Sequence, residues 1–152
     1  MEIVLFPGGL TSVALSNETM AITTYSHDTG FGSIVVSATP DPLTSNYYGQ
    51  VNEDELIFRA YHVFYGSVSG LCYLPNGSLL ACGWDEVLKV FSPSLELVQT
   101  LEGHNGPVEC VTISPSGSHI ASGGSDGKVM IWSESGEGGK WARVQVLEDD
   151  TS

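Results

Sequence analysis

Short runs in which apolar and polar residues alternate cover most of the chain, and clusters of glycine, serine and aspartate separate them. An alternation with a period of two residues is typical of strands that bury one face. In the C-terminal part of the chain it predicts four strands, at Val108–Ile113, Ser118–Gly123, Lys128–Trp132 and Ala142–Leu147. The separators suit tight turns, because glycine tolerates a positive φ and aspartate can bond the turn backbone. We therefore expect one antiparallel sheet of four strands.

The same pattern occurs a second time, earlier in the chain. Residues 71–91 align with residues 110–132, so that Asp85 falls opposite Asp126. The repeat length is roughly 40 residues with four short strands in each unit, which is the spacing of one β-propeller blade.

A weaker unit opens the chain, with two strands and a turn that carries Asp28. After a strand at Ile34–Ser37, residues 39–55 are acidic, rich in turn formers and without periodicity, so we predict an inserted loop there. The strand pattern resumes at Leu56–Phe64. A further strand at Glu2–Phe6 is expected to lie outside the unit.

These units predict an all-β protein, a partial β-propeller of about three four-stranded antiparallel blades in one segment, residues 1–152. The expected units are about 8–64 with the inserted loop, 65–102 and 103–147. Eighteen glycines, seven prolines and only 15% charged residues agree with strands joined by turns. Because propellers usually close with about 4–8 blades, we expect a piece of a longer protein, an incomplete gene product or a ring completed by a partner.

The last unit resembles the WD40 repeat, whose pattern runs Gly-His, Ser or Thr, a turn Asp and Trp-Asp. The matching residues are Gly103-His104, Ser122, Asp126 and Ile131-Trp132. The resemblance is strong for residues 103–147, good for 66–100 and faint for 8–38. It implies a structural tetrad in which His104 bonds Ser122 and Asp126, and Ser122 bonds the Trp132 indole. Asp28 and Asp85 would be the turn aspartates of the other units.

The second unit departs from the family pattern. It carries Phe91 in place of Trp, Cys82 in place of Ser and Phe64 in place of His. The third unit departs at one position, because Ser133 follows Trp132 where the family has Asp. We therefore expect the second unit to lack the polar network and to depend mainly on apolar packing.

His104, Ser122 and Asp126 are also the residue types of a hydrolase triad. Ser122 lies in an apolar strand without the G-x-S-x-G elbow that exposes a nucleophile. A structural role is therefore favoured, and the protein is predicted not to be an enzyme. A hydrolase that uses these three residues is the alternative.

Charge and composition restrict the partners. A net charge of -13 would repel nucleic acid and anionic membranes, and it would attract a basic peptide or a basic protein surface. High acidity is also a common means of staying soluble. No cofactor or metal is expected, because the four histidines and three cysteines show no ligand spacing. Unpaired cysteines and a poor signal-peptide pattern favour the cytoplasm or the nucleus.

The resemblance implies a scaffold that binds other proteins through its loops. His27, Trp84 and Ser125 each precede a turn aspartate and are expected at equivalent places on one face. Trp84, with Glu86 beside it, is the best candidate for a binding site, because it offers an aromatic anchor with an acidic rim. The alternative is that Trp84 packs against a neighbouring blade.

Overall fold

The computed structural model describes residues 3–4, 9–16, 19–26, 28–38, 51–52, 56–136 and 139–148. These ranges contain strands and the turns between them. The strands in chain order are β1 (Ile3–Val4), β2 (Gly9–Leu15), β3 (Thr19–Ser26), β4 (Phe31–Ala38), β5 (Val51–Asn52), β6 (Leu56–Tyr65), β7 (Val68–Tyr73), β8 (Leu79–Gly83), β9 (Leu88–Phe91), β10 (Leu97–Leu101), β11 (Val108–Ile113), β12 (His119–Gly124), β13 (Lys128–Ser135) and β14 (Lys140–Glu148).

Twelve of these strands form three four-stranded antiparallel sheets. Their orders are β2-β3-β4-β6, β7-β8-β9-β10 and β11-β12-β13-β14, and we call them the first, second and third blade. This arrangement confirms the predicted all-β class of four-stranded antiparallel blades. The third blade follows the alternation closely, since β11 has the predicted bounds, β12 is shifted by one residue, and β13 and β14 are longer than predicted.

The segment predicted as an inserted loop, residues 39–55, contains one short strand. Val51–Asn52 pairs with Ile3–Val4 in a separate two-stranded sheet. Two residues are too few for an alternation to be visible, so the sequence pattern did not indicate a strand here. Residues 39–50 and 53–55 lie outside the described part of the chain.

The second blade lies between the other two and buries both of its faces. One face contributes Leu71, Leu79 and Phe91 to a cluster shared with the first blade. The other contributes Leu80 and Leu88 to a cluster shared with the third blade. Successive residues of a strand point to opposite faces, and accordingly every residue of β8 is buried. Burial of this kind, worth roughly 25 cal/mol per Å² of apolar surface, holds the blades together.

Hydrogen bonds join the second and third blades at both ends of the interface between them, which we call the seam. At the inner strands, the Ser69 hydroxyl donates to the carbonyl of Val108. At the outer strands, the Gln99 amide makes two bonds to the backbone of Trp141. Its Nε2 donates to the Trp141 carbonyl at 2.7 Å and its Oε1 accepts from the Trp141 N–H at 2.8 Å. This amide clamp fixes the outer strands relative to one another.

The hairpin register corrects one detail of the sequence alignment. Ser122 pairs with Met130, two residues before Trp132, while Ala81 pairs with Lys89, two residues before Phe91. Ala81 therefore occupies the position of Ser122, and the expectation that Cys82 replaces the serine is wrong. The extra residue of the third blade lies in its first turn, where six residues separate the paired Ile113 and Ile120 and only five separate the paired Tyr73 and Leu79.

Candidate functional site

The four tetrad residues of the third blade lie in one hydrogen-bonded chain. The Trp132 indole Nε1–H donates to Ser122 Oγ at 3.0 Å. Ser122 Oγ lies 2.9 Å from His104 Nε2, and His104 Nδ1 lies 3.0 Å from Asp126 Oδ2. Since the serine oxygen already accepts the indole hydrogen, its own hydrogen is directed at Nε2, which leaves the imidazole hydrogen on Nδ1 for the carboxylate.

Backbone groups complete the environment of Asp126. Its carboxylate accepts the N–H of Asn105 at 3.0 Å and the N–H of Lys128 at 3.1 Å, in addition to the His104 contact. Burial alone would raise the pKa of Asp126. The bonds from Asn105, His104 and Lys128 outweigh that effect and hold the pKa below its usual value. The network thus joins the loop before β11 to the turn between β12 and β13.

The burial of Ser122 and His104 distinguishes this arrangement from a catalytic triad. Ser122 is 1% exposed and His104 5% exposed, and the indole hydrogen of Trp132 occupies the serine oxygen. A nucleophilic serine has to meet a substrate and stand beside an oxyanion hole. The geometry here satisfies polar groups inside a blade.

A different set of contacts occupies the same region of the second blade. Phe64 lies before β7 as His104 lies before β11, and Lys89 stands at the position of Met130. The Lys89 ammonium lies 4.4 Å from the centroid of the Phe64 ring and 2.9 Å from Asp85 Oδ2. A cation–π contact and an ion pair therefore replace the hydrogen-bonded tetrad.

This replacement leaves one polar atom unsatisfied. Among the buried side-chain nitrogen and oxygen atoms of the described residues, Asp85 Oδ1 is the one that lacks a hydrogen-bond partner. In Asp126 both carboxylate oxygens are bonded. Each of the two blades thus has a turn aspartate, but the side chains that contact it differ.

The first blade retains less of the pattern. Asp28 lies exposed in the turn between β3 and β4. His27, the residue before it, lies outside the described residues. A hydroxyl pair joins the inner strands instead, with 2.7 Å between Thr11 Oγ1 and Thr23 Oγ1.

Trp84 lies exposed on the face that carries the turns after β3, β8 and β12, which we call the loop face. The residue is 59% exposed, so much of its indole is accessible to a partner. Its backbone N–H donates to the Ser67 carbonyl at 3.1 Å. A Cβ on Gly66, whose φ is +96°, would lie 3.0 Å from the Trp84 Cβ. Glycine therefore allows the Trp84 turn to approach the strand beside it closely.

Two more aromatic residues, Phe31 and Tyr65, adjoin Gly66, the residue that the Trp84 turn approaches. Tyr65 directly precedes Gly66 and is exposed, and its ring packs edge-on against Phe31 with the centroids 5.2 Å apart. We call Phe31, Tyr65 and Trp84 the aromatic patch. In the third blade the positions of Tyr65 and Trp84 are held by Asn105 and Ser125, which are also exposed. The loop face is therefore aromatic at Tyr65 and Trp84 and polar at the equivalent Asn105 and Ser125.

Glu86 borders the aromatic patch in a strained backbone conformation. Its φ is +71°, at the turn position where the third blade has Gly127 with a φ of +77°. A left-handed conformation costs a residue with a Cβ roughly 1–2 kcal/mol. Strain of this kind, where glycine would relieve it, is typical of functional surfaces.

The thiols differ in their environments. Burial raises the pKa of Cys72 to about 11 and that of Cys82 to about 12, although a hydrogen bond with Ser69 opposes the effect at Cys82. Cys110 is exposed on β11. No group of three or more metal-ligating side chains occurs in the described ranges, nor does any helix there have the length and apolar character needed to cross a membrane.

Comparison with known proteins gives the class. The model of the WD domain, G-beta repeat (WD40), matches residues 58–92 and 95–133. The chain belongs to the WD40-repeat family, whose members typically serve as scaffolds for protein interactions.

Two curated relatives are similar over 69 residues, which is 43% of this chain and 22% of theirs. The "Small ribosomal subunit protein RACK1" of Drosophila melanogaster is 41% identical. The "Cross-pathway control WD-repeat protein 2" of Flammulina velutipes is 44% identical. The chain thus spans about a fifth of the length of these relatives, and the matched part corresponds to fewer than half of its own residues.

Sequence reasoning named Trp84 and Glu86 but missed Tyr65, Phe31 and Lys89. Tyr65 is the last residue of a strand, and a pattern cannot tell whether a terminal aromatic side chain turns inward. The repeat offered one signal, because Tyr65 stands where the third unit has Asn105, a polar and exposed position.

Proposed function

We propose that this chain is a non-catalytic scaffold that binds a basic segment of a partner protein on its loop face, at the aromatic patch. The proposal treats residues 1–152 as one segment, with units of about 8–64, 65–102 and 103–147, acting inside the cell. The observation that carries it is the exposure of Trp84 and Tyr65 at positions that are polar in the third blade.

Exposed aromatic side chains of this size are the residues that dominate binding energy at protein interfaces. Trp84 and Tyr65 are anchored by backbone contacts, at the Trp84 N–H and through the bond from the Gly66 N–H to the Gly30 carbonyl. Backbone that is already ordered loses little conformational freedom when a partner binds. The backbone beneath the patch is thus ordered before binding.

Charge supports a basic partner. Glu86 and Asp28 are exposed on the loop face, and the chain carries 18 acidic residues against five basic ones. A lysine or arginine that stacks on Trp84 gains a cation–π contact of roughly 0.5–2 kcal/mol. The surrounding acidic charge would also accelerate encounter with a basic partner. Ser125, at the equivalent place on the third blade, would contribute a polar contact at the rim.

The test is a titration of a fluorescein-labelled peptide of alternating arginine and glycine, followed by anisotropy at low salt. We expect saturable binding that weakens by about tenfold or more in Trp84→Ala, equivalent to roughly 1.4 kcal/mol, because the anchor is lost. A peptide of alternating glutamate and glycine should not bind. Val98→Ala is the matched control, since Val98 is 57% exposed and lies outside the patch.

A second readout does not depend on substitution. Trp132 and Trp141 are buried, so quenching of tryptophan fluorescence by acrylamide reports chiefly on Trp84. The bound peptide should reduce this quenching. Equal affinity of the wild type and Trp84→Ala, or quenching that the bound peptide leaves unchanged, would refute binding at the patch.

A further inference from the structure

Two of the chain's five asparagines directly precede a glycine. Asn76-Gly77 lies in the turn between β7 and β8, and Asn105-Gly106 lies just before β11. Asparagine followed by glycine is the pair that deamidates most readily without an enzyme, because glycine has no side chain to hinder ring closure by its backbone nitrogen. The other three asparagines precede glutamate or tyrosine. One molecule therefore offers two reactive pairs in different surroundings.

The turn that holds Asn76 is open to solvent. Asn76 and Gly77 are both exposed, and a Cβ on Gly77 would meet Pro93 at an ordinary contact distance of 3.7 Å. The side-chain Oδ1 of Asn76 accepts the N–H of Ser78 at 3.0 Å. A bond of this kind folds the side-chain amide back along its own backbone, so the Asn76 amide carbon is turned toward the Gly77 nitrogen.

One hydrogen bond of the turn opposes attack by Gly77. Its N–H donates to the Leu74 carbonyl at 3.0 Å, and this bond has to open before the nitrogen can react. Exposed turns open locally at a much smaller free energy than the whole domain. The Gly77 nitrogen thus becomes available through opening of the turn, without unfolding of the blade.

The second pair is held by contacts on both sides of its peptide bond. The Asn105 N–H donates to Asp126 Oδ2 at 3.0 Å, within the tetrad network. Gly106 is buried, and a Cβ on it would lie 2.7 Å from Ser125 Oγ. The next residue, Pro107, accepts the Ser125 N–H at 2.9 Å. Ring closure requires rotation of the Asn105 backbone, and these contacts have to break before it can rotate.

We propose that Asn76 is a site of spontaneous deamidation in the folded protein, and that the third blade protects Asn105 from the same reaction. The Gly77 nitrogen gives its proton to solvent and bonds to Asn76 Cγ, while the bond from Cγ to the amide nitrogen breaks and ammonia leaves. Water then opens the succinimide. Attack at the Cγ carbonyl gives aspartate, and attack at the main-chain carbonyl gives isoaspartate, each with one added negative charge.

The isoaspartate product changes the main chain. It routes the backbone through the former side chain and so adds a methylene group to a turn that the Leu74 N–H closes on the Ser78 carbonyl at 2.8 Å. Ser78 and Leu79 are buried directly after the turn, so the added atom displaces packed residues. Isoaspartate at position 76 should therefore destabilise the second blade, whereas aspartate keeps an oxygen that can accept the Ser78 N–H.

Peptide mass spectrometry tests the proposal on the folded chain, incubated at physiological temperature and slightly alkaline pH. Trypsin cleaves after Arg59, Lys89 and Lys128, so the two asparagines fall in different peptides, and a zero-time sample corrects for deamidation during digestion. We expect Asn76 to deamidate at least about tenfold faster than Asn105, a factor that corresponds to about 1.4 kcal/mol in the free energy of local opening. In concentrated urea the two rates should become similar.

Matched variants test the assignment. Asn76→Ser introduces the residue of the third blade, where Ser116 Oγ lies 3.4 Å from the Ser118 nitrogen. After incubation, an isoaspartyl O-methyltransferase with labelled S-adenosylmethionine should label the wild type and Asn105→Ser equally, and should leave Asn76→Ser unlabelled. Equal rates at both asparagines in the folded protein, the same preference for Asn76 in urea, or labelling that persists in Asn76→Ser would overturn the proposal.

Discussion

The second and third blades share a strand order, a turn aspartate and an inner-strand bulge, yet they solve the same packing problem differently. The third blade satisfies its aspartate through His104, Ser122 and Trp132, and its loop positions are polar. The second blade uses Lys89 and Phe64, leaves one carboxylate oxygen unbonded, and presents the exposed Trp84. The residues that match the family best thus hold the fold, and the residues that depart from it form the surface that we propose for binding.

The largest effect on stability is expected when His104 is replaced by phenylalanine, the residue that stands at the equivalent position, Phe64, before the second blade. His104→Phe removes the imidazole that bonds both Ser122 and Asp126, so the buried Ser122 hydroxyl loses its acceptor and the Asp126 carboxylate keeps only its two backbone donors. Because two groups lose a partner, we expect a loss of about 3–5 kcal/mol in the free energy of unfolding, measured by urea denaturation. His119→Phe in the same blade is the control, because His119 is exposed and substitutions there should change stability by less than about 0.5 kcal/mol. Equal losses would mean that the network does not stabilise the blade.

Ser122→Ala gives the third blade the residue that the second has at Ala81. The Trp132 indole N–H and His104 Nε2 lose their common partner, so we expect a loss of about 1–3 kcal/mol. A serine-reactive fluorophosphonate probe should leave the folded wild type unlabelled, because Ser122 is buried. Labelling of Ser122 in the folded protein would favour the hydrolase alternative over the scaffold.

Lys89→Met gives the second blade the residue that the third has at Met130. Asp85 would lose its ion pair in a mostly buried site, and we expect a loss of about 1–2 kcal/mol. Adding Asp85→Leu should restore part of the stability, because the unpaired carboxylate is then removed. If the double variant loses as much as the sum of both single variants, the two side chains are not coupled.

Acid should weaken the hydrogen-bonded network around Asp126. The pKa of Asp126 is lowered in the folded state, so its contribution to stability is present above its usual value of 3.8 and is lost as the pH falls through the folded pKa. We therefore expect the wild type and Asp126→Asn to differ most near pH 6 and to converge below about pH 4. Urea denaturation at several pH values measures this difference. A constant difference across the range would show that Asp126 does not titrate with folding.

The smallest effect has the opposite sign. Glu86→Gly relieves the positive φ of Glu86 and should stabilise the protein by up to about 1 kcal/mol, while it weakens binding of the basic peptide. Gly127→Ala, at the equivalent turn of the third blade, should destabilise it instead. Stabilisation without any change in peptide affinity would remove Glu86 from the binding surface.

Much of this arrangement was predictable because it is periodic. The alternation of apolar residues indicated the strands of the third blade, and the spacing of His104, Ser122, Asp126 and Trp132 indicated which residues lie together. The position of Ala81 was not predictable, because an alignment can place a one-residue gap in either turn and only the hydrogen-bond register distinguishes them. The Lys89 contacts with Phe64 and Asp85 depend on where a long side chain folds back, which no local pattern specifies.

The central claim is that folding and binding are divided between neighbouring blades. The most direct test exchanges the loop-face residues in Trp84→Ser with Ser125→Trp, and measures basic-peptide affinity together with the free energy of unfolding. We predict that Trp84→Ser weakens binding by about tenfold or more while stability changes by less than about 0.5 kcal/mol. The added Ser125→Trp should restore part of the binding, because it places a tryptophan at the equivalent turn. Unchanged affinity in Trp84→Ser, or a loss of stability as large as that of Ser122→Ala, would contradict the claim.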